Sequence, residues 1–354
     1  MGVVAREARR RWAVVAAGIA ALVAVPLVAA FAPVTAPRVA PAVLRERILA
    51  AARGAYQGYA ESRGSLVLPD LPQLGDLSGL LGGSTSMRVW RAGPAAWRVA
   101  VLDPAGERDW FRTAGGTYTW DYGRNLWTET VGDPALRPPQ PSDLVPPELA
   151  RRLIADAGPG AALRALPARR VAGIAAAGLR VTPADPDTTI GRLDVWADPR
   201  TGLPLLVDVA GAFTTRFLEV SAAPPGGDVL VPQAAGSAGF TSTTQSEVTA
   251  ALNTVARANL PGALAGRPRA PSPVSAVAVY GTGLSRFVVV AVPGRLGERT
   301  VSALRDAGGT PVAGGYLLRS AVLTVVVTRP GRRAYLVTGF ASPALLTAAA
   351  AELR

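Results

Sequence analysis

The sequence predicts an α+β protein. It would hold an antiparallel, sheet-rich unit with one helix before it and another crossing over midway, then a smaller α+β unit. Three observations carry this reading. Short β-prone runs separated by turn residues fill Gly64 to Val131 and resume from Arg169 to Val220. Helical patterns begin near Leu44 and at Pro146. A break at Pro224-Pro225-Gly226-Gly227 separates a second mixed stretch that ends in a helix.

Leu44, Ile48, Ala51, Ala52, Ala55 and Tyr59 recur at the 3.6-residue period, which predicts the first helix. Strands are expected at Ser86–Arg91, Trp97–Leu102, Asp109–Thr113, Thr117–Tyr122 and Leu126–Val131, with Gly93-Pro94, Asp103-Pro104 and Gly115-Gly116 as turns. Pro146-Pro147-Glu148 suits a helix start, and Leu149, Leu153 and Ile154 then share one face. Strands resume at Arg169–Val171, Gly178–Thr182, Arg192–Ala197, Leu203–Val209 and Thr214–Val220. Gly202 in the left-handed conformation closes the Asp198-Pro199-Arg200-Thr201-Gly202 turn. Beyond a linker with a helix near Glu247–Ala258, strands are expected near Val274–Tyr280, Arg286–Val292, Tyr316–Leu318, Val322–Thr328 and Ala334–Thr338. Helices lie near Thr300–Ala307 and Ser342–Leu353, the last capped by Ser342 with Pro343 at its first position.

The 354 residues suit about two domains, and 49% hydrophobic residues at a mean hydropathy of +0.25 are too apolar for wholesale disorder. Cysteine, histidine and lysine are absent, so all 37 basic residues are arginine. That excludes thiolate nucleophiles, Ser-His-Asp relays, the usual zinc and iron–sulfur ligand sets, P-loop lysines and Schiff bases. No catalytic residue, metal or cofactor is expected. The net charge of +12 is spread singly through strands and turns rather than gathered on one helix, which argues against a nucleic-acid partner. It reads as a solvated surface, with attraction to anionic membranes as the functional alternative.

Arg6, Arg9, Arg10 and Arg11 precede an uncharged run from Ala13 to Ala32, long enough to span a bilayer. Residues 1–12 are therefore expected to be a cytoplasmic basic tail, 13–32 a transmembrane or signal-anchor segment, and 33–42 a tether, with the rest outside the cytoplasm. Small-residue cleavage patterns at Ala30-Phe31-Ala32 and Val34-Thr35-Ala36 keep secretion open as the alternative.

The order of elements, together with Tyr56-Gln57-Gly58-Tyr59, Trp120-Asp121-Tyr122, Asp194-Val195-Trp196-Ala197-Asp198-Pro199-Arg200-Thr201-Gly202-Leu203-Pro204 and Val279-Tyr280-Gly281-Thr282-Gly283-Leu284, resembles the RseB/MucB family of exported proteins. The resemblance implies a LolA-like domain over 43–223, an open antiparallel half-barrel with a helical lid. A linker with one helix would occupy 224–272, and a small α+β domain 273–354. It also implies partners: lipid or acylated lipoprotein in the half-barrel, and a membrane anti-sigma factor or transporter held with help from the small domain.

Tyr118, Trp120 and Tyr122 alternate on one strand and so share a face. With Trp90 and Trp196 they are candidates to line an acyl pocket, with Leu149, Leu153 and Ile154 as the underside of its lid; a filled aromatic core is the alternative. Among the carboxylates, Asp103, Glu107 and Asp109 cluster near a turn and Asp194 and Asp198 flank a strand end. Turn chemistry accounts for them better than a glycosidase pair. Asp185 and Asp187 read as solvated loop residues rather than cation ligands.

Overall fold

A computed structural model describes residues 34–51, 53–68, 75–103, 106–132, 137–233, 236–255, 258–331 and 333–353, together with Trp12 and Val15. The expected membrane segment, Val15 apart, lies outside these residues. Among the described residues no helix is long and apolar enough to cross a membrane.

Helix α1 (Pro41–Ala51) opens on proline and buries Leu44 and Ile48. The chain turns at Arg53 and Gly54 and enters strand β1 (Tyr56–Gly64), so the expected helix stops earlier than its periodicity suggested. Tyr56 and Ala60 keep a helical spacing of four but are buried from a strand, whose pairing with β11 slips between Tyr59 and Ala60. Helix α2 (Gly75–Gly82) leads into the meander β2 (Ser84–Gly93), β3 (Ala96–Asp103), β4 (Gly106–Thr113), β5 (Gly116–Asp121) and β6 (Leu126–Val131). A short 3-10 turn at Pro141–Leu144 precedes the crossover helix α3 (Pro146–Asp156). A second meander follows: β7 (Ala162–Val171), β8 (Ile174–Thr182), β9 (Leu193–Ala197), β10 (Pro204–Val209) and β11 (Phe213–Ser221).

The two meanders join where β1 pairs antiparallel with β11, and β12 (Gly239–Thr244) adds parallel to β6. Among the described residues the result is one open sheet of twelve strands in the order β12-β6-β5-β4-β3-β2-β1-β11-β10-β9-β8-β7. Helices α1 and α3 pack together on one face, α1 against β7 and β8 and α3 against β9 to β11. Leu44, Ile48, Ile154, Leu179, Val195, Leu205 and Val207 form the core between them. Gly202 closes the β9–β10 turn at φ +75°, and a side chain there would meet the Arg47 backbone at 2.5 Å, so α1 also demands glycine.

The stretch after β11 crosses the other face of the sheet. Its 3-10 turn at Asp228–Leu230 lies over β2 and β3 before β12 and helix α4 (Gln245–Val255). A short hairpin, β13 (Ala263–Leu264) and β14 (Arg267–Pro268), leads into a second, wholly antiparallel sheet. This sheet is formed by β15 (Val277–Tyr280), β16 (Phe287–Val292), β17 (Thr310–Val312), β18 (Gly315–Ser320), β19 (Leu323–Thr328) and β20 (Ala334–Gly339), ordered β15-β16-β20-β19-β18-β17. Alternation along β19 sends Val325 and Val327 towards α5 (Gly294–Asp306) and Val326 towards α6 (Pro343–Ala351). Ser342 caps α6 through the Leu345 N–H at 3.2 Å, as its sequence predicts.

The two sheets are stitched at one corner. Thr189 N–H donates to the Phe340 carbonyl (2.9 Å), Ser342 N–H to that of Asp187 (2.7 Å), and Arg267 pairs with the Asp187 carboxylate (2.7 Å). Arg286 pairs with Asp156 at the end of α3. The Asp185–Asp187 loop is thus a structural joint, with Asp185 accepting from Asp187 N–H at 3.0 Å.

Candidate functional site: an arginine-rimmed cavity

The register of β1 to β3 divides their side chains cleanly. Tyr56, Arg91 and Trp97 stand in one cross-strand row, and Gly58, Val89 and Val99 in the next, all on the face that carries α1 and α3. The helices cover the β7–β11 half of that face. Over β1 to β3 they leave a cavity of about 570 Å³, within the range of small-molecule sites. Its floor is apolar: Tyr56, Val89, Trp97 and Val99, with Leu49 and Val145 at the sides.

Five arginines surround that floor, each from a different place in the chain or from the polar side of α3: Arg53, Arg91, Arg137, Arg151 and Arg152. Two carboxylates share the cavity and order most of them. Asp143 is gripped by Arg137 at 2.6 and 2.7 Å and by Arg152 at 2.6 Å. Glu148 pairs with Arg91 at 3.1 Å and Arg151 at 3.2 Å. Burial acts to raise the Asp143 carboxyl, but Arg137, Arg152 and the Gln140 N–H outweigh it and hold it below the ordinary carboxylate range. Tyr56 is pushed strongly upwards, mainly by burial, with Arg91 opposing and Glu148 reinforcing, so its phenol stays neutral. Five guanidinium groups against two carboxylates leave the rim cationic. Arg53 is exposed, with no ion pair among the described residues. Ser142 lines the same cavity, 8% exposed, and its Oγ has no hydrogen-bond partner there. Beyond the Pro138–Pro141 stretch a second hollow of about 540 Å³ continues over Val101, Arg108 and Trp110.

The residues singled out in the sequence fall elsewhere. Leu149, Leu153 and Ile154 do share a face of α3, but that face is packed into the core, at 9%, 6% and 0% exposure. The opposite side, Glu148, Arg151 and Arg152, meets the cavity. Trp90, Tyr118 and Trp120 lie on the back of the sheet, away from α1 and α3, because they are in register with Arg98, Phe111, Asp109 and Trp127. Trp120 stacks on Trp127 at 5.1 Å and meets Tyr122 edge-on at 5.0 Å, forming an aromatic cluster with Phe111. Trp196 is also on the back, its indole N–H donating to the Pro167 carbonyl (3.0 Å) and its ring covered by Arg169 at 4.0 Å. Alternation places Tyr118, Trp120 and Tyr122 together but does not say which face of the sheet the helices cover. The arginines were missed because their sequence positions are scattered. The available signal was Arg91, in phase with the buried Met87 and Val89.

Of the carboxylates that could form a hydrolytic pair, Asp109, Asp194 and Asp198 are engaged by neighbouring groups. Asp194 takes a two-point contact from Arg180, both at 2.6 Å, and Asp198 caps its turn through Arg200 N–H and the Thr201 hydroxyl. Asp109 is buried beside Arg98 at 2.7 Å.

No family model and no curated protein matches the chain. Among solved structures it is similar to Pseudomonas aeruginosa MucB in a MucA/MucB complex, at 21% identity over 87% of this chain and 95% of that one, with a TM-score of 0.48. A second structure, MucB in complex with MucA(peri), gives 21% identity over 88% and 97%, with a TM-score of 0.49. A LolA superfamily protein from Nitrosomonas europaea covers 55% of this chain and 99% of its own at 11% identity, TM-score 0.24.

Proposed function

We propose that this chain is an exported binding protein, tethered by its amino-terminal segment, whose half-barrel holds a lipid or the acyl chains of a lipoprotein and reports on the state of the envelope. The observation that supports it is the cavity: an apolar floor beneath a cationic rim, the complement of an amphiphile with an apolar tail and an anionic head. Binding rather than turnover fits the carboxylates, which are engaged by arginines and turn amides. Export and tethering rest on the arginine flank and the apolar run after it.

The packing of α3 favours a second reading, a protein-interaction regulator of a membrane anti-sigma factor or transporter with a purely structural half-barrel. The apolar side of that helix is committed to the core and cannot swing open as a lid without unfolding it. Native mass spectrometry of residues 34–354, purified without detergent, separates the two. Added mass from an acyl-bearing anion supports the first. A bare chain that takes up no added anionic lipid sinks it and leaves the second.

A further inference from the structure

Among the described residues, and apart from the two-residue strands of the β13–β14 hairpin, four strands end their sheets: β7 and β12 in the large one, β15 and β17 in the six-stranded one. An open edge offers backbone N–H and C=O groups to any extended chain, and folded proteins blunt it with charge, proline, bulges, brevity or a covering segment. Three of these edges are blunted. β7 carries Arg164, Arg169 and Arg170, Pro167, and a register break between Leu166 and Arg169. β17 is three residues long with Pro311 at its centre. β15 is covered by the segment before it, where Ala270 N–H donates to the Val279 carbonyl (2.8 Å) and Gly281 N–H to that of Pro268 (3.0 Å). The fourth, β12, is Gly239-Phe240-Thr241-Ser242-Thr243-Thr244. It has six residues in unbroken register with β6, no charge and no proline, and is exposed along almost its whole length. Among the described residues no strand pairs with its outer edge.

Its back face indicates what fits there. Phe240 stands in register with Trp127, which stacks on Trp120, so an aromatic row runs outwards to the open edge. The row ends in a ring that is 63% exposed, with Tyr122 at 51% and Val131 at 42% on the neighbouring strand ends. The next residue on that face, Ser242, is small and donates to Glu129 at 2.9 Å. We propose that β12 is a docking edge for an extended segment of another protein, added by backbone pairing, with a large apolar side chain beside Phe240. A second copy of this chain is a poorer occupant, because a net charge of +12 on each copy opposes their approach. The site lies on a different strand and face from the cavity, and its test does not depend on what the cavity holds.

The test titrates the full chain, in mild detergent, with a fluorescein-labelled acetyl-Glu-Thr-Phe-Thr-Val-Thr-Glu amide. Two further peptides are N-methylated on one or the other alternate set of amides. The expected result is saturable binding that survives methylation of one set, whose N–H groups face solvent, and is lost with the other. Phe240→Lys should weaken binding at least tenfold with an unchanged melting temperature, since the side chain is exposed. Absent saturable binding, equal effects of the two methylation patterns, or indifference to Phe240→Lys would overturn the proposal. So would a dimer in sedimentation velocity that Phe240→Lys dissolves, which would assign the edge to a second copy.

Discussion

Asp109 is the residue whose environment makes the sharpest demand. Burial raises its carboxyl from the ordinary 3.8 to about 6, with Arg98 opposing and Glu107 adding to the rise. An acid raised on folding keeps its proton in the native state over a range where the unfolded chain has lost it. Its destabilising contribution is therefore absent below the unfolded value, grows as pH rises through the interval, and is complete above the folded value. In Asp109→Asn this titration is gone. The melting temperature of the parent should gain on that of the variant as pH falls from about 6 to about 4, and a constant difference would show that Asp109 is not perturbed. A second residue-scale expectation concerns Ala210, held at φ 54° before Gly211 in the β10–β11 hairpin. Left-handed backbone costs a non-glycine residue roughly 1–2 kcal/mol, and asparagine tolerates it better. Ala210→Asn should raise stability by up to about 1 kcal/mol in urea unfolding. Gly202 was legible in the sequence because Asp-Pro-Arg-Thr-Gly spells its turn. Ala210 was not, because alanine carries no such signature.

At the scale of elements, α3 has two committed sides. Leu153 belongs to the core and Arg151 to the cavity rim. Leu153→Ala should cost about 2–5 kcal/mol by urea unfolding, the usual range for a truncated core leucine. Arg151→Ala should cost less than about 1 kcal/mol, since its pair with Glu148 is 41% exposed on the arginine side. Comparable losses for both would contradict the two-sided assignment. Periodicity identified which residues share a face of α3, but not whether the surface beneath was hollow or filled. The same limit misplaced the end of α1, where Tyr59 continues a helical count from within a strand. The meander from β2 to β6 was legible because turn pairs punctuate it. β12 escaped notice because its pairing with β6 is parallel and more than a hundred residues distant.

For the whole molecule, the informative event is convergence. A turn after α1, strand β2, the stretch before the 3-10 turn, and one side of α3 each deliver arginine to the same cavity, which no window of sequence displays. Folding also sorts the tryptophans. Trp97 goes to the cavity floor, whereas Trp90, Trp120 and Trp127 lie on the back of the sheet under or beside the crossing segment. If the cavity takes an anionic amphiphile, as proposed, one titration shows it directly. Fluorescent cis-parinaric acid and its methyl ester share a tail and differ in the charged head. The expected result is saturable binding of the acid at least tenfold tighter than the ester, a gap of about 1.4 kcal/mol that narrows with added salt and in an Arg53→Gln/Arg151→Gln variant. No saturable binding of either probe, or equal affinity for both, would contradict it.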